Sequence, residues 1–366
     1  MIWNIWIEIA GLILGLLLFY RRLELNAAPA VNTDRRKLSV IIPARNEAAN
    51  LPILLESLRT QTRPPDEIIC VDDGSSDGTA AIAAAFGAKV ISIADKPDGW
   101  VGKAWACQQG AQSANGELLL FVDADVVLGP DAIARLLATY AVGSGVISVQ
   151  PFHRIQRLYE NLSYFFNLIQ IAANGICLPF NHKNTGLYGP VILIATRDYE
   201  AIDGHQSVQR SVIEDVALGH TLTAKAIKYR LFLGGLTISY RMYGSGLRQL
   251  YQGWVKNIAA GAAKTPHGLL AMVLIWVTAC AAVVVDLTIA AFAADTAGLL
   301  QAGVIYVLIV AQLIWATRLA GNFSWLAIFV FPLWLLSFIV IFLLSLIYKL
   351  FGINIIWKGR KVTPCK

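Results

Sequence analysis

Carboxylates follow two short apolar runs of this sequence at the point where each run ends. Asp72 and Asp73 close the first run, and Asp123 and Asp125 close the second. Runs of this length, rich in β-branched and large apolar residues, predict buried parallel strands. Ligands of open α/β sheets bind just beyond the carboxyl ends of the strands. The two acidic strand ends therefore predict a negatively charged crevice that holds a divalent cation and, through it, a phosphorylated ligand.

An alternation of strand and helix patterns must position these acids. Strand patterns occur at residues 37–42, 67–71, 89–93, 117–122 and 146–149. Helical patterns lie between them. This alternation predicts an α/β fold with a doubly wound, mostly parallel sheet, in one large domain over residues 38–265.

The composition indicates that part of the chain lies in a membrane. Of 366 residues, 56% are hydrophobic and 15% are charged, whereas soluble domains carry about 25% charged residues. Residues 1–22 predict an N-terminal membrane anchor, because Arg21 and Arg22 follow the apolar run instead of preceding it. A C-terminal region over residues 269–348 holds three runs long enough to cross a bilayer, at 269–294, 297–316 and 323–348.

The distribution of Lys and Arg predicts the orientation. Five Lys and Arg residues follow the first run within residues 21–37, and Lys256 and Lys264 precede the next run. By the positive-inside rule we expect a multi-pass protein of the cell membrane with its globular domain in the cytoplasm. Three further spans would place the basic tail, residues 349–366, outside. The positive charge of the tail argues for the cytoplasmic side. One apolar segment is therefore alternatively re-entrant or lies flat on the membrane, and Pro332 marks a candidate break in the helical pattern.

The remaining composition argues against other classes of site. The net charge of +6 fits attraction to anionic lipid headgroups, because the cations form no recognisable nucleic-acid module. The five cysteines and five histidines are scattered without metal-ligand spacing. We therefore expect no nucleic-acid partner and interpret the histidines as ordinary polar residues.

Two aromatic-rich stripes with helical spacing lie near residues 155–170 and 243–258. Such stripes usually pack on a core. In a chain that is anchored to a membrane, aromatic stripes flanked by Arg and Lys can instead lie at the headgroup level. We favour this second interpretation and expect interfacial helices.

Three sequence blocks carry a resemblance to a known family. VIIPARNE begins at residue 40, VDDGSSDGT at residue 71 and FVDAD at residue 121. In this order, each at a predicted strand end, they closely resemble family 2 glycosyltransferases with the GT-A fold, over about residues 38–260. The segment IWKGR at residues 356–360 resembles the tail of membrane-bound relatives that glycosylate lipids, including carotenoids and ceramide. The resemblance implies a Rossmann-like GT-A domain.

By this resemblance, Asp125 is the ligand of Mg²⁺ or Mn²⁺, and Asp123 contacts the donor ribose or supports the metal. A hard cation held by one or two carboxylates neutralises the charge of a departing diphosphate. Lys103 stands where similar proteins place a basic residue near the donor phosphates. These three residues would hold the phosphate end of a nucleotide sugar.

The resemblance assigns the nucleotide end to residues near the other strand ends. Asp73 would read the base, and Glu47 with the backbone around Pro43 would hold the uridine. A carboxylate can accept a hydrogen bond from the uracil imide or from ribose hydroxyls. Asp72 and Ser75 are explained equally well as turn-forming residues.

The pair Glu214 and Asp215 supplies the catalytic candidates. An inverting transfer needs a base that takes the proton of the acceptor as the acceptor attacks the anomeric carbon. In similar proteins this base is the Asp of a late Glu-Asp pair, which implies Asp215, with Glu214 raising its pKa or binding the acceptor. Alternatively, the pair simply provides favourable charge in the first turn of a helix.

The expected product is a singly glycosylated lipid. Processive relatives carry Gln-x-x-Arg-Trp, but Gly253 stands where the Arg should precede Trp254. This departure favours transfer of one sugar, with Trp254 a candidate contact to the acceptor.

The sequence thus predicts an inverting, metal-dependent transfer of one hexose from a nucleotide sugar, with UDP-glucose as the leading donor, to a lipid hydroxyl or carboxylate. A carotenoid or other isoprenoid is the favoured acceptor. A polyprenyl-phosphate sugar synthase and a non-catalytic membrane scaffold stay open as alternatives.

Overall fold

The computed structural model describes residues 2–29, 34–143, 145–357 and 360–362. In chain order the strands are β1 (Leu38–Ala44), β2 (Glu67–Asp72), β3 (Lys89–Ser92), β4 (Leu118–Val122), β5 (Val126–Leu128), β6 (Val146–Gln150), β7 (Phe152–His153), β8 (Val191–Ala195), β9 (Tyr229–Leu233), β10 (Ile238–Tyr240), β11 (Ile355–Trp357) and β12 (Arg360–Val362). The helices are α1 (Ile2–Leu18), α2 (Leu51–Arg59), α3 (Thr79–Ala85), α4 (Gly102–Gln112), α5 (Ala132–Val142), α6 (Tyr164–Asn174), α7 (Thr196–Ala201), α8 (Glu214–Ala224), α9 (Leu247–Ala262), α10 (His267–Phe292), α11 (Thr296–Ala320), α12 (Trp325–Phe329) and α13 (Phe331–Leu350).

The main sheet has seven strands in the order β3-β2-β1-β4-β8-β6-β9. The prediction of a mostly parallel sheet is confirmed, with β8 running antiparallel to both of its neighbours. β1 lies between β2 and β4 and is parallel to both. The two acidic strand ends therefore lie at the same edge of the sheet, on either side of β1.

β1 continues two residues further than the sequence predicted. Its pairing with β2 extends to Ala44, whereas its pairing with β4 stops at Ile41. The missing N–H of Pro43 therefore removes no ladder hydrogen bond on the β4 side. Pro43 remains at the strand end that faces the acids.

Alternate residues of β1 belong to two hydrophobic cores. Val40 and Ile42 pack with apolar residues of α2 and α5, while Ile41 belongs to a core that continues through α6 into α10, α11 and α13. This is the period of two expected for a strand with helices on both faces. The sheet domain, residues 38–265, and the C-terminal helices therefore share one packed core.

Three helices, α10, α11 and α13, are long and apolar enough to cross a bilayer. α1 is shorter, with 17 residues, and packs along α10. A Cβ on Gly11 would lie 2.1 Å from the Cβ of Ala279 on α10, so the two backbones approach closely. The role of residues 1–22 as an anchor, the number of spans and the orientation stay predictions.

The third C-terminal run is divided. The short helix α12 precedes α13, and Pro332 lies in the first turn of α13, where its missing N–H is tolerated. Part of the basic tail, residues 358–359 and 363–366, lies outside the described residues. The segment that carries the resemblance to lipid-modifying relatives therefore falls partly outside them.

The first aromatic stripe is less helical than predicted. α6 begins only at Tyr164, after an extended segment and a 3₁₀ turn, Leu158–Ser163. The carboxylate of Glu160 accepts the backbone N–H groups of residues 156 and 157 and so stabilises this turn in place of a continuous helix. The first three residues of α6 are buried in the core shared with the C-terminal helices: Tyr164, Phe165 and Phe166. This burial agrees with the first interpretation of the stripe, packing on a core. The headgroup-level position of these helices stays a prediction.

Candidate active site

A half-buried lysine connects the end of β4 to the start of α8. Lys103, in the first turn of α4, has its Nζ 2.7 Å from Asp123 Oδ1 and 3.3 Å from Glu214 Oε1. Burial would lower the pKa of Lys103, but the two carboxylates raise it above its usual value. The lysine is therefore a fixed cation between two acids of the site.

Asp215 lies beside this cluster and is held by backbone donors. Its Oδ2 accepts the N–H of Gly189 at 2.9 Å, and its Oδ1 accepts the N–H of Val216 at 2.9 Å. Burial, with the neighbouring charge of Glu214, raises the pKa of Asp215 to about 6. A carboxyl group with this pKa is ionised near neutral pH and is still a stronger base than an ordinary aspartate.

The charge of Glu214 is maintained by lysines. Burial alone would raise the pKa of Glu214, but Lys103 and Lys256 lower it below the usual range. Glu214 therefore keeps its negative charge next to Asp215. The two members of the acid pair have their pKa values moved in opposite directions, which is typical of sites that perform acid–base chemistry.

One narrow cavity of about 10 Å³ joins five of the predicted site residues. Its lining consists of Pro43, Lys103, Cys107, Phe121, Asp123, Gly189, Ile192, His205, Glu214 and Asp215. These five residues come from four distant segments of the sequence and meet at the carboxyl edge of the sheet. This is the position in which an open α/β sheet binds its ligand.

The predicted nucleotide end lies at the tip of β2. Asp73 and Glu47 are both buried there, and the loop that holds Glu47 is fixed because its N–H donates to Thr79 Oγ1 at 2.8 Å. Asp72 Oδ1 accepts the backbone N–H of Ser75 at 3.2 Å and also its hydroxyl. These contacts support the turn-forming interpretation of Asp72 and Ser75.

The turn after β4 can hold a divalent cation. The described residues contain no group of three or more His, Cys, Asp and Glu side chains arranged around a metal. Mg²⁺, however, is commonly bound by one or two carboxylates together with substrate phosphates. Asp123 and Asp125 supply hard oxygen atoms at that turn, and the backbone carbonyl of Asp125 is fixed by the N–H of Arg241. The donor set therefore fits Mg²⁺ or Mn²⁺ bound jointly with a diphosphate.

Trp254 is not brought together with the other predicted site residues. Its ring stacks on Phe166 with centroids 4.4 Å apart, and its indole N–H donates to Ser163 Oγ at 3.1 Å. The side chain is fully buried between α9 and α6, and it does not line the cavity described above. Its role as an acceptor contact stays a prediction.

Among the residues of the cavity wall, sequence reasoning missed Gly189 and His205. Gly189 donates the backbone hydrogen bond to Asp215, and a lone glycine before an apolar strand carries no sequence signal for that role. His205 is buried in the wall, although the scattered histidines were interpreted as ordinary polar residues. Only the three-dimensional contacts identify both.

Comparison with known proteins agrees with this geometry. The family model described as Glycosyl transferase family 2 matches residues 39–184. A 4,4'-diaponeurosporenoate glycosyltransferase of Staphylococcus aureus strain MRSA252 is 34% identical over 362 residues, which cover 96% of this chain and 95% of the relative. The chain belongs to glycosyl transferase family 2. It is accordingly a glycosyltransferase.

Two further matches agree with this assignment. The 4,4'-diaponeurosporenoate glycosyltransferase of Staphylococcus aureus strain USA300 is 34% identical over 361 residues. The match covers 96% of this chain and 95% of the relative. Among solved structures, the mannosyltransferase PcManGT from Pyrobaculum calidifontis, in complex with GDP-Man and Mn²⁺, matches with a TM-score of 0.57 and 20% identity. That match covers 93% of this chain and 97% of the mannosyltransferase. The match to the solved structure shows that the two proteins share their fold over nearly the whole of both chains.

Proposed function

We propose that this glycosyltransferase inverts the anomeric carbon while it moves one hexose from UDP-hexose, with UDP-glucose as the leading donor, to a carotenoid-type lipid. The observation that carries the proposal is the position of Asp215. Its carboxylate is fixed by Gly189 and lies in the same cavity as Lys103 and Asp123. A base is thus placed next to a cation that can neutralise a departing phosphate.

The donor would bind across the two acidic strand ends. Asp73 and Glu47, with the backbone at Pro43, would hold the uridine. Asp123 would contact the ribose or support the metal, and Lys103 would contact the diphosphate. Asp125 would hold Mg²⁺ or Mn²⁺. When bound, that cation supplies positive charge to the leaving diphosphate.

The pKa of Asp215 favours a carboxylic acid over an alcohol as the acceptor. A carboxylic acid has a pKa of about 4–5, so a base with a pKa of about 6 takes its proton in the favourable direction. The pKa of an alcohol lies far above that of Asp215. The relatives are named for diaponeurosporenoate, a carotenoid carboxylate. We therefore infer that the sugar is transferred to a carboxyl group of a carotenoid-type lipid.

The charge of the cavity argues against a polyprenyl phosphate as the acceptor. Its described lining carries one lysine against three carboxylates, those of Asp123, Glu214 and Asp215. A phosphate acceptor would bring further negative charge and needs little base catalysis. A carboxylic acid adds at most one negative charge, whereas a phosphate monoester carries about −1.5 to −2 at pH 7.

The shared core of the sheet domain and the C-terminal helices supports a membrane substrate. The relatives match across nearly the full chain, including this helical region. We propose that the protein is a multi-pass enzyme of the cell membrane with a cytoplasmic catalytic domain, which takes its acceptor directly from the bilayer.

The proposal is tested by expression in a host that accumulates carotenoid acids. The lipid extract is expected to lose the acid and to gain a form heavier by one hexose. D125N and D215N variants at equal protein level should leave the acid unchanged. Unaltered pigment with the wild-type chain, or equal conversion by both variants, would contradict the proposal.

A further inference from the structure

Two different sheets hold the two acids of the turn that follows β4. The N–H of Asp123 donates to the carbonyl of Pro190 at 2.9 Å, directly before β8 of the main sheet. Asp125 instead precedes β5, which belongs to a separate three-stranded sheet in the order β5-β10-β7. The carbonyl of Asp125 accepts the N–H of Arg241 at 3.3 Å, one residue beyond the last paired residue of β10. The position of Asp125 therefore depends on where the chain at the end of β10 is fixed.

The small sheet offers little support of its own at this end. β5 and β10 have three residues each, and β7 has two, whereas strands of globular proteins usually have about five or six. Strands this short contribute few ladder hydrogen bonds. We therefore expect contacts outside the ladder to fix the end of β10.

The side chain of Arg241 supplies such a contact through a buried ion pair. Its Nη2 and Nε lie 2.6 and 3.1 Å from Oε1 of Glu160. Oε2 of Glu160 accepts the backbone N–H groups of Gln156 and Arg157 at 2.7 and 3.3 Å. The carboxylate is fully buried, and both of its oxygens have partners. Burial alone would raise the pKa of Glu160, but the hydrogen bonds from Gln156 and Arg241 lower it below the usual value. The pair is therefore ionised.

The 3₁₀ turn that carries Glu160 is itself attached to the C-terminal helices. Asn322 lies two residues after α11, and its Oδ1 accepts the backbone N–H of Ile155 at 2.6 Å. A second contact ties the turn to the chain after β10, because Tyr159 OH donates to the carbonyl of Tyr243 at 2.8 Å. The end of β10 is thus held at two points by a turn that is anchored on the helical region.

We propose that Arg241 and Glu160 are positioning residues for the metal ligand Asp125. The ion pair fixes the backbone of Arg241, and the N–H of that same residue fixes the carbonyl of Asp125. The side chain of Asp125 therefore extends toward the cation from a fixed point of the backbone. This proposal rests on the proposed role of Asp125 as the ligand of Mg²⁺ or Mn²⁺. Removal of groups that orient a metal ligand from behind typically costs about 10- to 100-fold in metal affinity.

The test measures Mn²⁺ binding to the full-length protein in detergent with UDP present. The electron paramagnetic resonance signal of free Mn²⁺ gives the dissociation constant, so no sugar transfer is needed. R241M should raise this constant by about tenfold or more. The matched control is R135M, which breaks the surface pair of Arg135 with Asp131 and should change the constant by less than about twofold.

A double variant separates the positioning role from a folding defect. R241M alone leaves a buried carboxylate unpaired, which is destabilising. E160Q/R241M leaves no unpaired charge, and the amide oxygen that E160Q introduces can still accept the N–H groups of the turn. We expect the unfolding midpoint of E160Q/R241M to lie well above that of R241M, while its Mn²⁺ dissociation constant stays raised by about tenfold. All dissociation constants are measured below the midpoint of each variant.

The positioning role is overturned if R241M binds Mn²⁺ as the wild type does. It is also overturned if E160Q/R241M recovers the wild-type affinity together with the midpoint, because the loss in R241M then reflects folding alone. D125N distinguishes this failure from a failure of the proposed metal site. An unchanged affinity in D125N overturns both the metal site and the positioning role, whereas a loss in D125N without a loss in R241M overturns the positioning role alone.

Discussion

Replacing Asp215 with Asn removes the proposed base and keeps the shape of the side chain. General-base catalysis contributes about 10²- to 10⁴-fold, so kcat for transfer of labelled glucose from UDP-glucose should fall by that factor. The donor contacts at Lys103 and Asp123 are unchanged, so KM for the donor should change less than about threefold. The wild-type rate should rise with pH through about 6, because Asp215 must be ionised to accept a proton. The residual rate of D215N should lack this rise.

The same substitution should not destabilise the fold. The pKa of Asp215 is higher in the folded chain, about 6 against an ordinary 3.8. Its favourable contribution to stability is therefore complete below about pH 4 and is lost as the pH rises through about 6. At pH 8 the ionised carboxylate is the unfavourable form in the folded chain. Asn removes that cost and loses one backbone hydrogen bond worth about 1 kcal/mol. We expect an unfolding midpoint at pH 8 equal to or above that of the wild type.

The matched control for this experiment is D131N, because Asp131 pairs with Arg135 at the surface, outside the cavity. It should retain full activity. The assignment of Asp215 as the base is refuted if D215N retains more than about a tenth of wild-type kcat, or if it loses activity together with a lowered midpoint.

Three further predictions concern the metal, a buried ion pair and the helix contact. D125N should raise the Mn²⁺ concentration needed for half-maximal transfer by at least about tenfold, and a metal titration checks this; an unchanged titration assigns the cation elsewhere. R241M leaves the fully buried carboxylate of Glu160 without its ion-pair partner and should lower the free energy of unfolding by about 3–5 kcal/mol. The control R59M breaks the exposed pair with Glu56 and should change that free energy by less than about 1 kcal/mol. G11A places a Cβ against α10 and should lower the midpoint of unfolding in detergent by an amount that corresponds to about 1–3 kcal/mol. The control G303A adds a Cβ that meets no atom within 4 Å and should leave the midpoint unchanged. Equal midpoints for the two variants would contradict the packing of α1 on α10.

The strands and their acidic ends could be predicted because the information is local. β2 and β4 are short apolar runs closed by carboxylates, and the parallel pairing with β1 places both ends at one edge. The bounds of these strands differ from the predicted ones by one or two residues. The family resemblance gave Lys103, Asp123 and Glu214 their expected roles, but the direct contacts of Lys103 with both acids were not predicted, since no local pattern connects residues so far apart.

The contacts between helices could not be predicted in the same way. Helical spacing identified the aromatic stripes but could not show that Trp254 stacks on Phe166. The spacing of aromatic residues is the same in a helix that packs on a core and in a helix at a membrane surface, so it does not identify the packing partner. The 3₁₀ turn around Glu160 depends on side-chain hydrogen bonds that compete with a regular helix. His205 gave no signal because its partner Tyr199 and the cavity that it lines are brought together only by the fold.

The most direct test of the central claim offers purified protein two acceptors in the same reaction. UDP-glucose and Mn²⁺ are supplied with equal amounts of a carotenoid carboxylic acid and a polyprenyl phosphate, and the products are resolved by mass spectrometry and by the configuration of the sugar. We predict one added hexose on the carotenoid acid, joined as an ester with inverted anomeric configuration and formed only when Asp215 is intact. Glucose on the polyprenyl phosphate, a retained configuration, or unchanged ester formation by D215N would contradict the account.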